Sequence, residues 1–531
     1  MTSFPYLPRR TLLSVPFALT PLERARAQAP NGPALTIGVG APPTSMDPHF
    51  HNIGPNNAIT MHVFDGLVVR DGQAQARPAL AESWRVLSET EWEFRLRRNV
   101  RWHDGKPFTA DDVVFTFERV PNVAGSPGSF GGFLRFVEKV DVLDPHLIRV
   151  RTRRPNPLLP LDLASVSIIA RHVNGVATED YNSGRAAVGT GPYHLVSYAA
   201  NDRAVFKRNP DWWGGAEPWE TVNYRFLAND ASRTAALLSG DVDMIDQIPT
   251  SDLSKLRRDP RVTVNEIVSL RTMFMTPNHG PEGGHPHVTD TRGAPLPKNP
   301  FLDARVRQAL SLAINREALA SHVMEGAAVP TGQWLPEGAF GYNPAVRPDP
   351  FDPDAAKQLL AEAGYPAGFH ITVLTPNDRW PNDARVTQAV AQMWTRVGVR
   401  TAVEALPFAA FVQRRSRHDV PMSLSAWGSA TGEASNYLVN IVNTANREHL
   451  TGANNLWRHS DPAMDELTAL ASAAMDDASR EALWHKAVER YALERPYIQL
   501  LQLTTSWATR RGLRYAPRMD ERTVAMGVRT A

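Results

Sequence analysis

The sequence predicts an α/β protein built from several domains, and three observations carry that reading. Its 531 residues exceed a single core of ~150 residues several times over. Short alternating runs separated by Asn, Asp, Pro and Gly crowd the middle of the chain, which suits an antiparallel or mixed sheet. Beyond residue 300 the apolar period becomes helical, and strand, helix and strand follow one another between Phe369 and Ala405. Elements of that length and order form a right-handed parallel crossover.

Along the chain, Leu35 to Val39 is an apolar run stopped by Gly40 and two prolines, as expected of a buried strand feeding a loop. Trp92, Phe94 and Leu96 alternate with charged residues, the period of a half-buried strand, and His103-Asp104-Gly105 supplies a turn. Thr109, three residues ahead of Asp112, sets a capping box for a helix whose Val113, Phe117 and Val120 share a face. Tyr193 to Tyr198, Ala204 to Lys207 and Val222 to Phe226 are the alternating runs of the middle. Asp303 then caps a helix with Val306, Ala309, Leu310, Ala313 and Ile314 on one side. The next helix runs from its N-cap Asp352 and Pro353 to Gly364, just past its end, and leads into a strand at Phe369 to Leu374. A further helix, about Asp383 to Val397 and closed by Gly398, carries the chain into a strand at Val399 to Ala405. Two α/β regions result: a strand-rich half up to about residue 270 and a helix-rich half after it.

The N-terminus reads differently. Arg9 and Arg10 precede the apolar stretch Thr11 to Thr20, and Ala27-Gln28-Ala29 supplies a small-x-small cleavage site. Residues 1–29 are therefore expected to be an export signal, with both the general and the twin-arginine routes open. No other segment approaches the ~20 apolar residues of a membrane span, so no direct membrane insertion is expected. The chain has 0 cysteines, which excludes disulfides, thiolate metal sites, Cys nucleophiles and a lipidated-cysteine anchor. An exported, soluble, anchor-free chain belongs in the periplasm of a Gram-negative cell. With 57 Lys plus Arg against 55 Asp plus Glu, a formal charge of +2, no field draws a polyanion, and nucleic acid is not an expected partner.

Motifs for catalysis are absent. There is no GxxxxGK[ST] loop and no HExxH, and Gly38-Val39-Gly40 and Gly189-Thr190-Gly191 are soon followed by proline, unlike a dinucleotide-binding turn. The stretch Gly428 to Gly432 has its serine directly after the first glycine and is no nucleophile elbow. Carboxylates such as Asp111-Asp112 and Asp241, Asp243 and Asp246 are explained by caps and turns. Histidines gather at His49 and His51 and again at His279, His285 and His287. Imidazoles suit a transition metal, whereas a solvated Gly/Pro loop explains the same residues without one. No catalytic residue, cofactor or metal site is predicted.

Several segments occur in one order over nearly the whole chain: ALAESW (Ala79 to Trp84), FRLRRNVRWHDGKPFTADDVVFTFERV (Phe94 to Val120), VGTGPYHLVSY (Val188 to Tyr198), RNPDWWGG (Arg208 to Gly215), LLSGDVDM (Leu237 to Met244), DARVRQALSLAINREAL (Asp303 to Leu319), FDPDAAKQLLAEAGYP (Phe351 to Pro366) and QMWTRVGVRTAVE (Gln392 to Glu404). In these the chain resembles the periplasmic solute-binding proteins of ABC importers, family 5, the class of the dipeptide-, oligopeptide- and nickel-binding proteins. The resemblance implies a two-lobed periplasmic-binding-protein fold with mixed sheets, flanking helices and a hinge. Residues 30–62, 189–272 and 495–531 would form the sheet domain of lobe I, residues 63–188 its inserted subdomain, and residues 273–494 lobe II. It also implies a monomeric, non-enzymatic receptor that captures a small peptide-like or modified-peptide solute between the lobes and delivers it to the membrane permease by hinge closure. The alternatives are a carrier of a nickel or other metal chelate or of haem on the same scaffold, and an exported hydrolase.

Site residues follow from the same resemblance. In the family's peptide binders an arginine in the loop after the strand that follows the AEAGYP helix holds the ligand carboxylate. Arg379, in TPNDRWPND, matches that position, with Trp380 beside it. Phe408 matches an aromatic that lines the pocket, Trp427 matches the tryptophan of the strand that ends at the cleft, and Thr44 and Ser45 match a lining segment. One departure stands out: the aspartate that pairs with a peptide's free α-amino group, three residues after that tryptophan, is here Ala430. A buried ammonium without a carboxylate is costly. Glu433 would substitute if the loop is rearranged. Otherwise the ligand is not an ordinary free-amino peptide but a blocked or modified peptide, an opine-like conjugate or a metal chelate.

Overall fold

The computed structural model describes residues 32–280, 282–418 and 420–531; the export segment expected at residues 1–29 lies outside them. Among the described residues no helix is long and apolar enough to cross a membrane.

The two expected α/β regions are joined by one curled 12-stranded sheet. The joining has a physical cause. Two strands, Val262–Pro277 with 16 residues and Ile498–Arg510 with 13, are long enough to serve both lobes. They pair antiparallel from Val262↔Arg510 to Met275↔Ile498, with register shifts between Val268 and Thr272 and between Met273 and Phe274. Below the first shift the pair lies in the first lobe; above it Val262–Pro277 takes Met422–Gly428 as its other neighbour in the second lobe.

In the first lobe Ala34–Val39 runs parallel to Thr221–Phe226, which continues antiparallel to Arg203–Arg208 and then Tyr193–Ala199. This is the mixed sheet the alternation predicts. Leu35, Ile37, Phe206, Val222 and Tyr224 face one core. A separate four-stranded antiparallel sheet, Ala81–Ser88, Glu91–Leu96, Leu147–Thr152 and Val137–Asp144, makes the inserted unit. Trp92, Phe94, Ile148 and Val150 fill its core together with Val113 of the helix Ala110–Arg119. The capping box that starts this helix is formed: the Thr109 N–H donates to Asp112 Oδ2 at 2.9 Å.

The second lobe follows its start and stop signals closely. Asp303 Oδ1 accepts from the Arg305 N–H at 2.8 Å and Asp352 Oδ1 from the Ala355 N–H at 2.9 Å, opening the helices Ala304–Leu312 and Pro353–Glu362. Phe369–Pro376 pairs parallel with Val399–Leu406 through the helix Asp383–Arg396, so the crossover is present. Gly398 ends that helix at φ 102°, and a Cβ on the facing Gly368 would lie 1.9 Å from the Gly398 carbonyl oxygen. Only glycine tolerates so close an approach. The helix buries Val386, Val390 and Trp394, and the Trp394 indole N–H donates to the Leu310 carbonyl at 2.8 Å. Truncating a buried aromatic of this size costs about 3–5 kcal/mol, which ties the crossover to the helix Ala304–Leu312.

Candidate functional site

The parallel strands of the second lobe end on one side. Phe369–Pro376 lies between Val399–Leu406 and Met422–Gly428 and is parallel to both. The segments that follow their carboxyl ends are Asn377 to Trp380, Pro407-Phe408 and Ser429-Ala430. Ligands of open α/β sheets collect outside such ends, where the strand order switches. The first lobe is built alike: Ala34–Val39 is parallel to Thr221–Phe226, and the loop after it carries Thr44 and Ser45.

Arg379, Trp380 and Phe408 come together. The Arg379 guanidinium stands over the Phe408 ring at 4.8 Å, and the Trp380 and Phe408 rings meet edge to face at 6.2 Å. Their backbone is fixed by two carboxylates. Asp383 Oδ2 accepts the N–H groups of Arg379 and Trp380 at 3.1 and 3.0 Å, and Asp378 Oδ1 accepts that of Phe408 at 2.8 Å. Burial raises the Asp383 carboxyl above the ordinary range while these amides pull it down. Arg379 itself is exposed, and no carboxylate among the described residues pairs with it.

Trp427 forms a second group on the neighbouring strand, opposite Thr272. It is half-buried, and its indole N–H donates to Asn436 Oδ1 at 2.8 Å, an oxygen that also accepts the Ala430 N–H at 3.3 Å. Asn436 thus fixes both the tryptophan and the turn where the family's aspartate is replaced by Ala430. The carbonyl of Ala430 accepts from Arg70 Nη1 of the first lobe.

Glu433 is not turned to the strand ends. Its side chain is 1% exposed and accepts from Ser435 Oγ, from the Trp484 indole at 2.9 Å, and from Arg480 across a 3.5 Å ion pair. Burial raises its carboxyl above the ordinary value and those partners oppose the rise. In this arrangement the Glu433 carboxylate, which was expected to substitute for the missing aspartate if the loop is rearranged, is enclosed by protein partners. Ser45 is likewise buried and donates to Asn182 Oδ1 at 2.8 Å, so it braces the first lobe internally. Thr44 is exposed, with Oγ1 3.1 Å from His51 Nδ1 and its N–H on Asn56 Oδ1 at 2.9 Å.

The histidines have structural partners. His279 Nε2 donates to the Pro496 carbonyl at 2.8 Å, and burial, with His459 beside it, holds its ring down to about 3. His49 Nε2 donates to the Ser167 carbonyl at 2.7 Å while Nδ1 accepts from Arg119 at 2.9 Å. His285 and His287 lie 5.7 Å apart, ring to ring. Among the described residues no group of three or more His, Asp or Glu side chains is placed to hold a metal ion.

Sequence reasoning missed Arg70, Arg518 and Arg522. No motif marks them, yet Arg70 is 4% and Arg518 9% exposed. Their partners lie up to 448 positions away, beyond the reach of local pattern.

The chain is similar to known proteins over most of its length. The chain is 28% identical over 463 residues to heme-binding protein A of Haemophilus influenzae, covering 81% of this chain and 80% of that one. It is 26% identical over 477 residues to the dipeptide-binding protein of Escherichia coli, covering 84% of each. Among solved structures, HbpA2 from Haemophilus parasuis superposes with a TM-score of 0.81 at 23% identity, over 94% of this chain and 100% of that one. The family model described as bacterial extracellular solute-binding proteins, family 5 Middle, matches residues 75–449. The chain belongs to family 5 of the bacterial extracellular solute-binding proteins, the binding components of ABC importers.

Proposed function

We propose that this protein captures a small organic anion, a peptide-like or modified-peptide carboxylate, between its lobes at the carboxyl ends of the parallel strands. Arg379 carries the reading. It is an exposed guanidinium without a carboxylate partner among the described residues, braced over Phe408 at 4.8 Å and flanked by Trp380. Such a fork matches a carboxylate and gains strength once water is excluded. Trp427 and Thr44 complete the proposed contact set; Ser45 and Glu433 leave it because protein partners occupy their oxygens.

Ala430 sharpens the ligand class. Its methyl side chain supplies no carboxylate where the family's peptide binders carry an aspartate, and its main-chain carbonyl is already taken by Arg70. A ligand ammonium gains nothing there, which favours an N-blocked or conjugated amino acid over a free-amino peptide.

In this reading the lobes, divided as 30–62, 189–272 and 495–531 with the inserted 63–188 against 273–494, close on the ligand by a hinge. The closed population rises only by the ligand's preference for it, and that form docks on the permease. The receptor acts as a monomer without turnover, in the periplasm, after cleavage near Ala29.

Thermal melting tests the ligand class. Bound solute stabilises by RT ln(1 + [L]/Kd), about 2.7 kcal/mol at a hundredfold excess over Kd. N-acylated dipeptides and opine-like conjugates are expected to raise the melting temperature more than the free-amino dipeptides of the same sequence. Equal shifts for both, or none from either, would overturn the assignment.

A further inference from the structure

The first lobe contains a cavity of about 420 Å³ between its sheet domain, the inserted unit and the C-terminal segment. Its volume falls in the ~300–1,000 Å³ range of small-molecule sites. None of its lining residues belongs to the second lobe, and Arg379, Trp380, Phe408 and Trp427 are not among them. The walls are mainly apolar: Met61, Phe64, Phe130, Val166, Trp212 and Trp213. Three guanidinium groups, those of Arg70, Arg518 and Arg522, also line it, together with the carboxylates of Asp65 and Asp71.

Several acceptors in this wall are occupied, and some donors are only weakly held. Asp65 Oδ2 accepts from the Trp213 and Trp212 indoles at 2.8 and 3.3 Å and from Thr190 Oγ1 at 3.0 Å. Asp71 accepts from Arg77 Nε at 2.7 Å and from the N–H groups of Gln73 and Gln75 at 2.9 Å. Arg518 is held by Asp520 at 2.9 and 2.7 Å and by the Arg70 carbonyl at 2.9 Å. Arg522 differs: it approaches Asp520 only at 3.6 Å and otherwise donates to Met61 Sδ, a weak acceptor, at 3.5 Å. Arg70 uses Nη1 on Ala430 and Nη2 on Ser165 Oγ at 2.8 Å, but its Nε is buried without a hydrogen-bond partner. A guanidinium held as loosely as that of Arg522, beside an apolar wall, favours a ligand that is part anion and part hydrocarbon.

We propose that this cavity is a second ligand site, separate from the cleft between the lobes, which takes an organic monoanion with an apolar body. The head pairs with Arg522, and the body lies among Met61, Phe64, Phe130 and Trp213.

Decanoate is the probe, with acetate as the control for the head alone and decanol as the control for the body alone. Calorimetry on the whole protein is expected to give one decanoate site per chain, with acetate and decanol each at least tenfold weaker. Arg522→Gln should weaken decanoate at least tenfold and Arg522→Lys should restore part of it, while Arg379→Ala leaves it unchanged. Met61→Trp, which fills the cavity from a half-buried position, should abolish binding without loss of the folded-state melting transition. No saturable decanoate binding, or affinity that survives both Arg522→Gln and Met61→Trp, would overturn the proposal. Loss on Arg379→Ala would place decanoate in the interlobe cleft instead, leaving the reading of that cleft intact.

Discussion

Arg70 in the first lobe donates through Nη1 to the main-chain carbonyl of Ala430 in the second. Burial pushes its guanidinium down to about 9, with Arg522 adding to the fall, so it stays charged at neutral pH and the bond is charge-assisted. Such bonds contribute about 1.5–3 kcal/mol, enough to shift a two-state balance tenfold or more. Arg70→Met is therefore expected to move the lobes apart, read as a larger radius of gyration in small-angle scattering of the ligand-free protein. A scattering curve indistinguishable from the parent would show that the bond does not set the lobe arrangement.

Arg379 tests whether closure excludes water. An exposed ion pair is worth about 0–1 kcal/mol, whereas truncating one partner of a desolvated pair costs about 2–5 kcal/mol. Arg379→Ala is expected to weaken the anionic cleft ligand by the larger amount, roughly thirtyfold or more by calorimetry. A loss under about fivefold would leave Arg379 in solvent with no role in capture.

Glu433 separates a structural carboxylate from a ligand-binding one. Removing one member of a buried pair costs about 3–5 kcal/mol when the other charge is stranded; here Arg480 keeps Asp477 at 2.7 Å, so the loss of the acceptor for Trp484 and Ser435 adds to a smaller electrostatic cost. Glu433→Ala should lower the melting temperature strongly, and Glu433→Gln less, since an amide oxygen still accepts from Trp484. Ligand affinity should change little in the glutamine variant; a large loss of affinity with unchanged melting would return Glu433 to the cleft.

Local rules account for what was legible in the sequence. Asp303, Asp352 and the Thr109–Asp112 box cap their helices because a cap needs only residues within three positions. The crossover between Phe369–Pro376 and Val399–Leu406 is legible for the same reason, as its period changes within a single stretch. Joining both lobes through one sheet was not legible, since nothing local marks where Val262–Pro277 leaves one set of neighbours for another. The enclosure of Glu433 was not legible, because an acidic residue near a family position carries no sign of Trp484 and Arg480, which arrive from some fifty positions downstream. Arg379 was legible only through resemblance, and its stacking on Phe408 emerged from two loops that the sheet brings side by side.

Acid should destabilise the fold through His49 and His62. Both are fully buried and held down to about 4 chiefly by that burial. Each ring is fixed as a neutral tautomer: His62 donates to the Ile59 carbonyl from Nδ1 at 3.0 Å and accepts the Ala525 N–H at Nε2 at 3.1 Å. A folded pKa below the unfolded value of about 6.5 means that the unfolded chain takes up protons first. Stability is therefore present above pH 6.5 and is lost as pH falls toward 4, by about 2 kcal/mol per ring at pH 5. Asp162, raised to about 7 by burial, acts in the opposite sense and regains stability on acidification. The clean readout is a difference: His62→Gln should flatten the fall in unfolding free energy between pH 7 and 5 by about 2 kcal/mol. An unchanged slope in the variant would remove His62 from the acid response.

Arg271 and Glu521 stand where the long strand passes between lobes. The register of Val262–Pro277 against Ile498–Arg510 breaks between Val268 and Thr272, so the residues in the gap lack ladder partners on that side. They are held by other means. Arg271 reaches Glu521 at 2.8 Å from Nη2 and 3.1 Å from Nε, and Ser269 Oγ donates to the same carboxylate at 2.9 Å. The Leu270 N–H donates to the Met519 carbonyl at 2.9 Å, and its own carbonyl accepts the Ser429 N–H at 3.1 Å. A strand released from its ladder and fixed instead by side chains is the place for a hinge to bend with few backbone bonds to break. Glu521→Gln removes the charge that holds Arg271 above its ordinary range and weakens the fork. Hydrogen exchange is then expected to speed up at Leu270 and Ser429, with the amides of Met273 and Phe274 unchanged. Unchanged exchange at Leu270 and Ser429 in the variant would move the hinge elsewhere, because a bend at this gap cannot keep the amides of Leu270 and Ser429 closed once the side chains that brace it let go.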